Sequence, residues 1–203
     1  PNIVTVLESG HAGIVPIIVS AFYDAPTLAA WLTAQAAPVP ARCAAETVMA
    51  LADAVQHAHQ RGVLHRDIKP SNVLMVKLMA ESEPDVARAS VDWTPKLMDF
   101  GLAKVTDATL DLTQTGAMLG TLMYMPPEQA TGNLALVGPR SDVYGLGAIL
   151  YEMLTDQPPL RGSSQVETLR RVMQDVPAAL RTIRADVPRD LETICLKCLE
   201  KEP

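Results

Sequence analysis

The chain has 203 residues, of which 48% are apolar and 20% charged, and a formal net charge of −6. That composition supports one well-cored domain and excludes wholesale disorder. Lys and Arg are scattered along the chain, so no basic face offers itself to nucleic acid or an anionic membrane, and no apolar run reaches the roughly 18 residues that span a bilayer.

Residues 3–7 and 14–20 are short β-branched runs separated by Ser9-Gly10 and Gly13, which predicts a hairpin. Thr27 is placed to cap a short helix running to Gln35 and ending before Pro38. Between residues 40 and 61, Val48, Leu51, Ala52, Val55 and Ala58 recur with a helical period, and Gly62 follows as a C-terminal stop. Residues 63–75 read as short strands alternating with a polar loop. Residues 76–94, with Glu81, Glu83, Pro84, Asp85 and Arg88, read as an exposed insertion. A short strand at 96–98 leads into a long loop rich in Thr and Gly. Residues 141–155 are apolar nearly all round (Val143, Leu146, Ile149, Leu150, Met153, Leu154), the pattern of a helix at the centre of a helical body. Amphipathic helices at 164–175 and 188–199 complete the chain, and no internal repeat is found.

Three cysteines are too few for a disulfide framework, and they point to a reducing, cytoplasmic setting. Cys195 and Cys198 form a C-x-x-C, but zinc needs four ligands and no second pair accompanies them. Set among Leu191, Ile194 and Leu199, they read as two small apolar residues in a helix seam. His57 and His59, two apart on a helix, do not share a face and read as no metal pair. The six methionines among Met75, Met79, Met98, Met118, Met123 and Met125 read as core filling.

The stretch that carries chemistry is His65-Arg66-Asp67-Ile68-Lys69-Pro70-Ser71-Asn72, followed by Asp99-Phe100-Gly101. It places an Asp and an Asn five apart on one loop, with a second Asp on another. Phosphoryl transfer needs a hard divalent cation with oxygen ligands, which Asn72 and Asp99 can supply while Asp67 stays free to orient an attacking hydroxyl. Lys69 is within reach of the migrating phosphoryl group as negative charge builds on its equatorial oxygens.

These residues resemble the catalytic loop and D-F-G motif of the eukaryotic-type (Hanks-type) Ser/Thr protein kinases, in a bacterial-like form. Further along, Met125-Pro126-Pro127-Glu128 is similar to the family's A-P-E, with Pro126 in place of Ala. Asp142-Val143-Tyr144-Gly145-Leu146-Gly147 is similar to the D-x-W-S-x-G of its central helix, with Tyr144 and Gly145 substituted. Residues 18–23 (Ile18, Val19, Ser20, Ala21, Phe22, Tyr23) resemble the last N-lobe strand entering the hinge.

The resemblance implies an α+β, protein-kinase-like fold in which residues 1–20 end the N-lobe, 21–26 form the hinge and 27–203 form most of the helical C-lobe. It implies ATP and Mg²⁺ (or Mn²⁺) as cofactors. Asp67 would orient the substrate hydroxyl, Lys69 would stabilise the transferred phosphoryl group, and Asn72 and Asp99 would hold metal. The hinge backbone at Ala21 and Tyr23 would bind adenine, with Ser20 as a small gatekeeper and Leu74 as the pocket floor. His65 and Phe100 would stack with Val6 in a hydrophobic spine anchored by Asp142, and Glu128 would serve structurally. Lys69, together with Thr121 bridging it to Asp67, implies Ser/Thr hydroxyls of proteins as substrates. Arg66 beside the catalytic Asp, and Thr113 and Thr115 in a Thr-x-Thr like that of autophosphorylated bacterial members, imply activation by loop phosphorylation, with self-association as one route; a merely solvated Thr-rich loop is the alternative. A pseudokinase scaffold and a small-molecule kinase are the competing functions. Intact Asp67, Lys69, Asn72 and Asp99 argue against the first, and Lys69, Thr121 and Glu128 against the second.

Residues 1–68 contain no lysine. The family's Gly-rich loop, its strand-borne Lys (on the family's third strand) and the αC helix are expected upstream of Pro1, and the Arg that pairs with Glu128 beyond Pro203. A segment without those phosphate anchors should expose apolar surface where an N-lobe packs. The 203 residues expressed alone are therefore expected to transfer γ-phosphate negligibly. An ordinary kinase turnover number in a radiolabelled ATP assay would refute this.

Overall fold

The computed structural model describes residues 1–77, 93–100 and 121–202. Thr113, Thr115, Met79, Met118 and most of the expected insertion and Thr-rich loop lie outside the described residues.

The hairpin forms, from β1 (Val6–Ala12) and β2 (Val15–Ser20), paired antiparallel. Its turn is at Gly13, which has φ +65°. Ser9-Gly10, read as a break, instead lies inside β1 opposite Ile18 and Ile17. The reason is conformational: only Gly13 takes the left-handed backbone that a side chain would resist. Val6, Leu7, Val15, Ile17 and Val19 of this hairpin are all at least 44% exposed.

Helix α1 (Leu28–Thr33) is capped as expected, with Thr27 Oγ1 accepting from the Ala30 amide at 3.2 Å. Helix α2 (Ala41–His59) buries Leu51, Val55 and Ala58 and ends before Gly62 at φ +72°. A single 3-10 turn (Pro70–Asn72) then opens strand β3 (Val73–Lys77), which pairs antiparallel with β4 (Trp93–Leu97). The stretch after Gly62 thus holds one strand rather than several. Both ends of the expected insertion belong to the ladder, where Val76 faces Thr94 and Lys77 faces Trp93. The N-terminal residues add to the same edge. Leu97 donates to the Asn2 carbonyl at 2.8 Å and accepts from the Val4 amide at 2.9 Å.

The rest is helical: α3 (Pro127–Ala130), α4 (Pro139–Thr155), α5 (Gln165–Gln174), α6 (Leu180–Ile183) and α7 (Arg189–Cys198). Helix α4 is the axis. It packs against α2 on one side and α7 on the other, and Leu146, Ala148, Ile149, Leu150, Tyr151, Met153 and Leu154 are all buried. Such burial all round explains why its sequence has no polar face. Pro139 occupies the first turn, where its missing N–H costs nothing, and Asp156 closes the helix at φ +60°.

Two glycines allow the close contacts of α4. A Cβ at Gly145 would stand 2.8 Å from Ile68 Cβ, and one at Gly147 would stand 2.5 Å from Cys198 Cβ. Cys195 and Cys198 therefore line the α4–α7 seam. The Cys195 thiol lies 3.5 Å from the Gly147 carbonyl, and burial pushes both thiols above their ordinary pKa. Among the described residues no helix is long and apolar enough to cross a membrane.

Helix propensity alone makes Gly→Ala stabilising by about 1 kcal/mol in a helix interior. Gly147→Ala is expected to do the opposite and lower the thermal midpoint, because the added methyl meets α7. A midpoint at or above wild type in a thermal melt would show that the two helices do not approach this closely.

Candidate active site

The site is built upward from Asp142, in the first turn of α4 and 1% exposed. A carboxylate removed from water needs donors, and Asp142 has three. Its Oδ2 accepts from the His65 amide at 2.9 Å and lies 2.7 Å from His59 Nε2; its Oδ1 accepts from the Arg66 amide at 2.7 Å. The two backbone donors belong to consecutive residues, so one side chain sets the path of the loop. Arg66 is held at φ +66°, a conformation a non-glycine residue adopts only when surrounding contacts enforce it. Its carbonyl accepts from Gln129 Nε2 at 3.1 Å.

His65 is fully buried, and burial pushes its pKa below the ordinary value, outweighing the nearby Asp142, Asp67 and Asp99 carboxylates. Its Nδ1 accepts from the Asp67 amide at 3.2 Å, so Nε2 carries the proton and donates to the Met98 carbonyl at 2.9 Å. A neutral imidazole with both nitrogens engaged by backbone is a spacer between two loops. Phe100 packs on it with ring centroids 4.7 Å apart. Val6 lies on β1 opposite Ser20 and is 56% exposed.

Asp67 then receives its own partners. Its Oδ2 lies 2.9 Å from Lys69 Nζ and accepts from Asn72 Nδ2 at 3.0 Å, while its carbonyl accepts from the same amide at 2.8 Å. Lys69 Nζ also donates to Thr121 Oγ1 at 3.0 Å. Asn72 thus spends its NH₂ on Asp67 and leaves its carbonyl oxygen as the atom able to meet a cation. Asp99 arrives from the second loop. The Met98 amide donates to the Asn72 carbonyl at 3.0 Å, continuing the β3–β4 ladder beyond the Val73–Leu97 pair. Asp99 follows at φ +59° with its side chain exposed. An amide oxygen and a carboxylate are both hard oxygen donors, which suit a hard divalent cation and not a thiophilic one.

The remaining expected residues lie around this centre. Arg66 is exposed and, among the described residues, forms no ion pair. A cleft beside Asp67 is lined by Arg66, Thr121, Met125, Pro126 and Gln129. Glu128 is buried under that wall and accepts from the Ser141 hydroxyl, which in turn accepts from the Gly138 amide at 3.0 Å. On the hairpin side, Ser20 ends β2 exposed, and the Ala21 amide is already bonded to the Thr5 carbonyl at 2.8 Å. The Tyr23 carbonyl accepts from Ala25 at 2.9 Å, and Lys96 Nζ stands 5.0 Å from its ring centroid. Leu74 is half-buried on β3 and bridges to Thr27.

Sequence reasoning missed His59 and Gln129. His59 was read only against its neighbour His57, whereas its partner lies 83 residues away. Gln129 follows Glu128 directly but carries no charge or motif weight of its own.

The chain matches the protein kinase domain family model over residues 1–203. It is 36% identical over 208 residues to the serine/threonine-protein kinase PknB of Mycolicibacterium smegmatis, covering 100% of this chain and 31% of that protein. Its identity to PknB of Mycobacterium leprae is 35% over 207 residues, covering 100% and 30%, and to a probable PknB of Lactococcus lactis 36% over 202 residues, covering 100% and 29%. The solved kinase domain of Mycobacterium tuberculosis PknI shares the fold, with a TM-score of 0.67 at 23% identity over 99% of this chain and 64% of that one. The chain spans about three-tenths of the length of these curated relatives. With its length matched throughout and the loops of the site drawn together, the chain belongs to the protein kinase family.

Proposed function

We propose that the protein carrying this chain transfers the γ-phosphate of ATP to Ser and Thr hydroxyls of proteins. The observation that carries the reading is the joining of Asp67, Lys69, Asn72 and Thr121 by contacts of 2.8–3.0 Å, with Asp99 next in sequence to Met98, whose amide bonds to the Asn72 carbonyl. In this reading residues 1–20 end the N-lobe, 21–26 are the hinge and 27–203 the C-lobe.

Each role follows from what an atom has left to offer. Asp67 Oδ2 is occupied by Lys69 and Asn72, so Oδ1 turns to the acceptor hydroxyl, orients it and takes its proton. Lys69, fixed between Asp67 and Thr121, sets a positive charge against the equatorial oxygens of the transferring group without reorganising. Asn72 Oδ1 and the Asp99 carboxylate would hold Mg²⁺ (or Mn²⁺), which when bound neutralises the triphosphate. Ala21 offers adenine its carbonyl, since its amide is taken by Thr5, and Tyr23 offers its amide. Ser20 and Leu74 border the same slot. Thr121 ties the acceptor side to the catalytic pair, the arrangement expected for Ser/Thr rather than Tyr substrates.

Substituting the general base removes proton transfer and leaves ATP binding. In the full-length protein, Asp67→Asn should lower kcat on the order of 10²- to 10⁴-fold with little change in the KM for ATP. Steady-state kinetics with a Ser/Thr peptide acceptor test this, and a kcat within a few-fold of wild type would defeat the reading. Phosphorylation at Thr113 and Thr115 would add about −1.5 to −2 charges each, with Arg66 as the cation to pair with them. Mass spectrometry of the active protein should find both modified, and Thr113→Ala with Thr115→Ala should slow transfer. Both threonines unmodified in fully active protein would refute this regulation.

A further inference from the structure

We propose that Gln129 is a positioning residue for Asp67, coupling the acceptor-side wall of the cleft to the peptide that aims the catalytic carboxylate. The inference rests on the kinase reading above and adds a residue to it.

The peptide between Arg66 and Asp67 sets the direction of Asp67. Arg66 holds a left-handed φ of +66°, a strained conformation for a side-chain-bearing residue that lasts only while its flanking peptides are held. Three bonds hold them. Asp142 takes the Arg66 N–H at 2.7 Å, His65 Nδ1 takes the Asp67 N–H at 3.2 Å, and Gln129 Nε2 donates to the Arg66 carbonyl at 3.1 Å. The first two come from inside the body, from α4 and from the loop itself. The third crosses the cleft. Without it the shared peptide keeps its N–H partner and loses its C=O partner, so the plane can tilt and carry the Asp67 Cα with it.

Gln129 is well placed to impose this. It sits on α3 beside buried Glu128, whose carboxylate is tied through Ser141 to the start of α4. The amide is therefore presented by an element braced against the same helix that holds Asp142. It also lines the cleft that Asp67, Thr121 and Pro126 share. A displacement of the 121–130 wall would break the Gln129–Arg66 bond and loosen the catalytic carboxylate, so acceptor-side order and base orientation rise and fall together. The effect belongs to the turnover step and not to nucleotide affinity.

The test uses the full-length protein with ATP and a Ser/Thr peptide acceptor, comparing wild type, Gln129→Glu, Gln129→Met and Asp67→Asn. Gln129→Glu keeps the shape and loses the donor at neutral pH, and Gln129→Met loses it without adding charge, so either alone suffices if the other does not fold. Removing one partly exposed neutral hydrogen bond should lower kcat roughly three- to tenfold while the KM for ATP stays within about twofold. Amide hydrogen exchange at Asp67 should quicken with α4 unchanged. Wild-type kcat in both Gln129 variants, a loss confined to the KM of the acceptor, or loss of protection throughout α4 would each overturn the inference. Full activity in Asp67→Asn would instead overturn the kinase reading, so the two failures are told apart.

Discussion

A single buried carboxylate organises this molecule. Asp142 is almost wholly removed from water, yet each of its oxygens is committed to a donor from a segment some 80 residues earlier. Removing one partner of such a buried group typically costs several kcal/mol, because the other partners are left uncompensated. The loop bearing Asp67 therefore cannot relax away from the central helix at low cost. The left-handed turn at Arg66 and the inward-facing His65 are consequences of that commitment.

The central helix does this only because it can be approached closely. A glycine at 145 admits Ile68 of the loop, and a glycine at 147 admits the last helix. Both weaken the helix locally by propensity. Burial along the rest of the helix offsets this, with Ile149, Met153 and Leu154 at or below 1% exposure. Helix strength is exchanged for proximity where the loop has to be gripped.

The parts legible from sequence were those encoded locally. Asp67, Lys69 and Asn72 lie within six residues, and their mutual contacts follow from that spacing once the 3-10 turn at Pro70 closes the loop. The capping Thr27, the α2 stripe and the all-apolar α4 were equally readable, because each expresses a periodicity or a cap. What was not readable is long-range or depends on competition between local options. His59 gains its meaning only from Asp142 across the fold. Ser9-Gly10 and Gly13 both looked like turns, and only the need for a positive φ decided between them. The strand edges at residues 76–77 and 93–94 were hidden because polar and charged flanks resemble an insertion until a partner strand is in view.

The stitching of residues 2–4 onto Leu97 links two regions that chain order keeps apart. Leu97 bonds on one edge to the segment leading into the hairpin and on the other to Val73, and it stands two residues before Asp99. The hairpin and the Asp99 carboxylate thus hang from one short piece of extended backbone. Extended backbone of so few residues is the shortest mechanical path from the hairpin to Asp99, like the beam of a yoke.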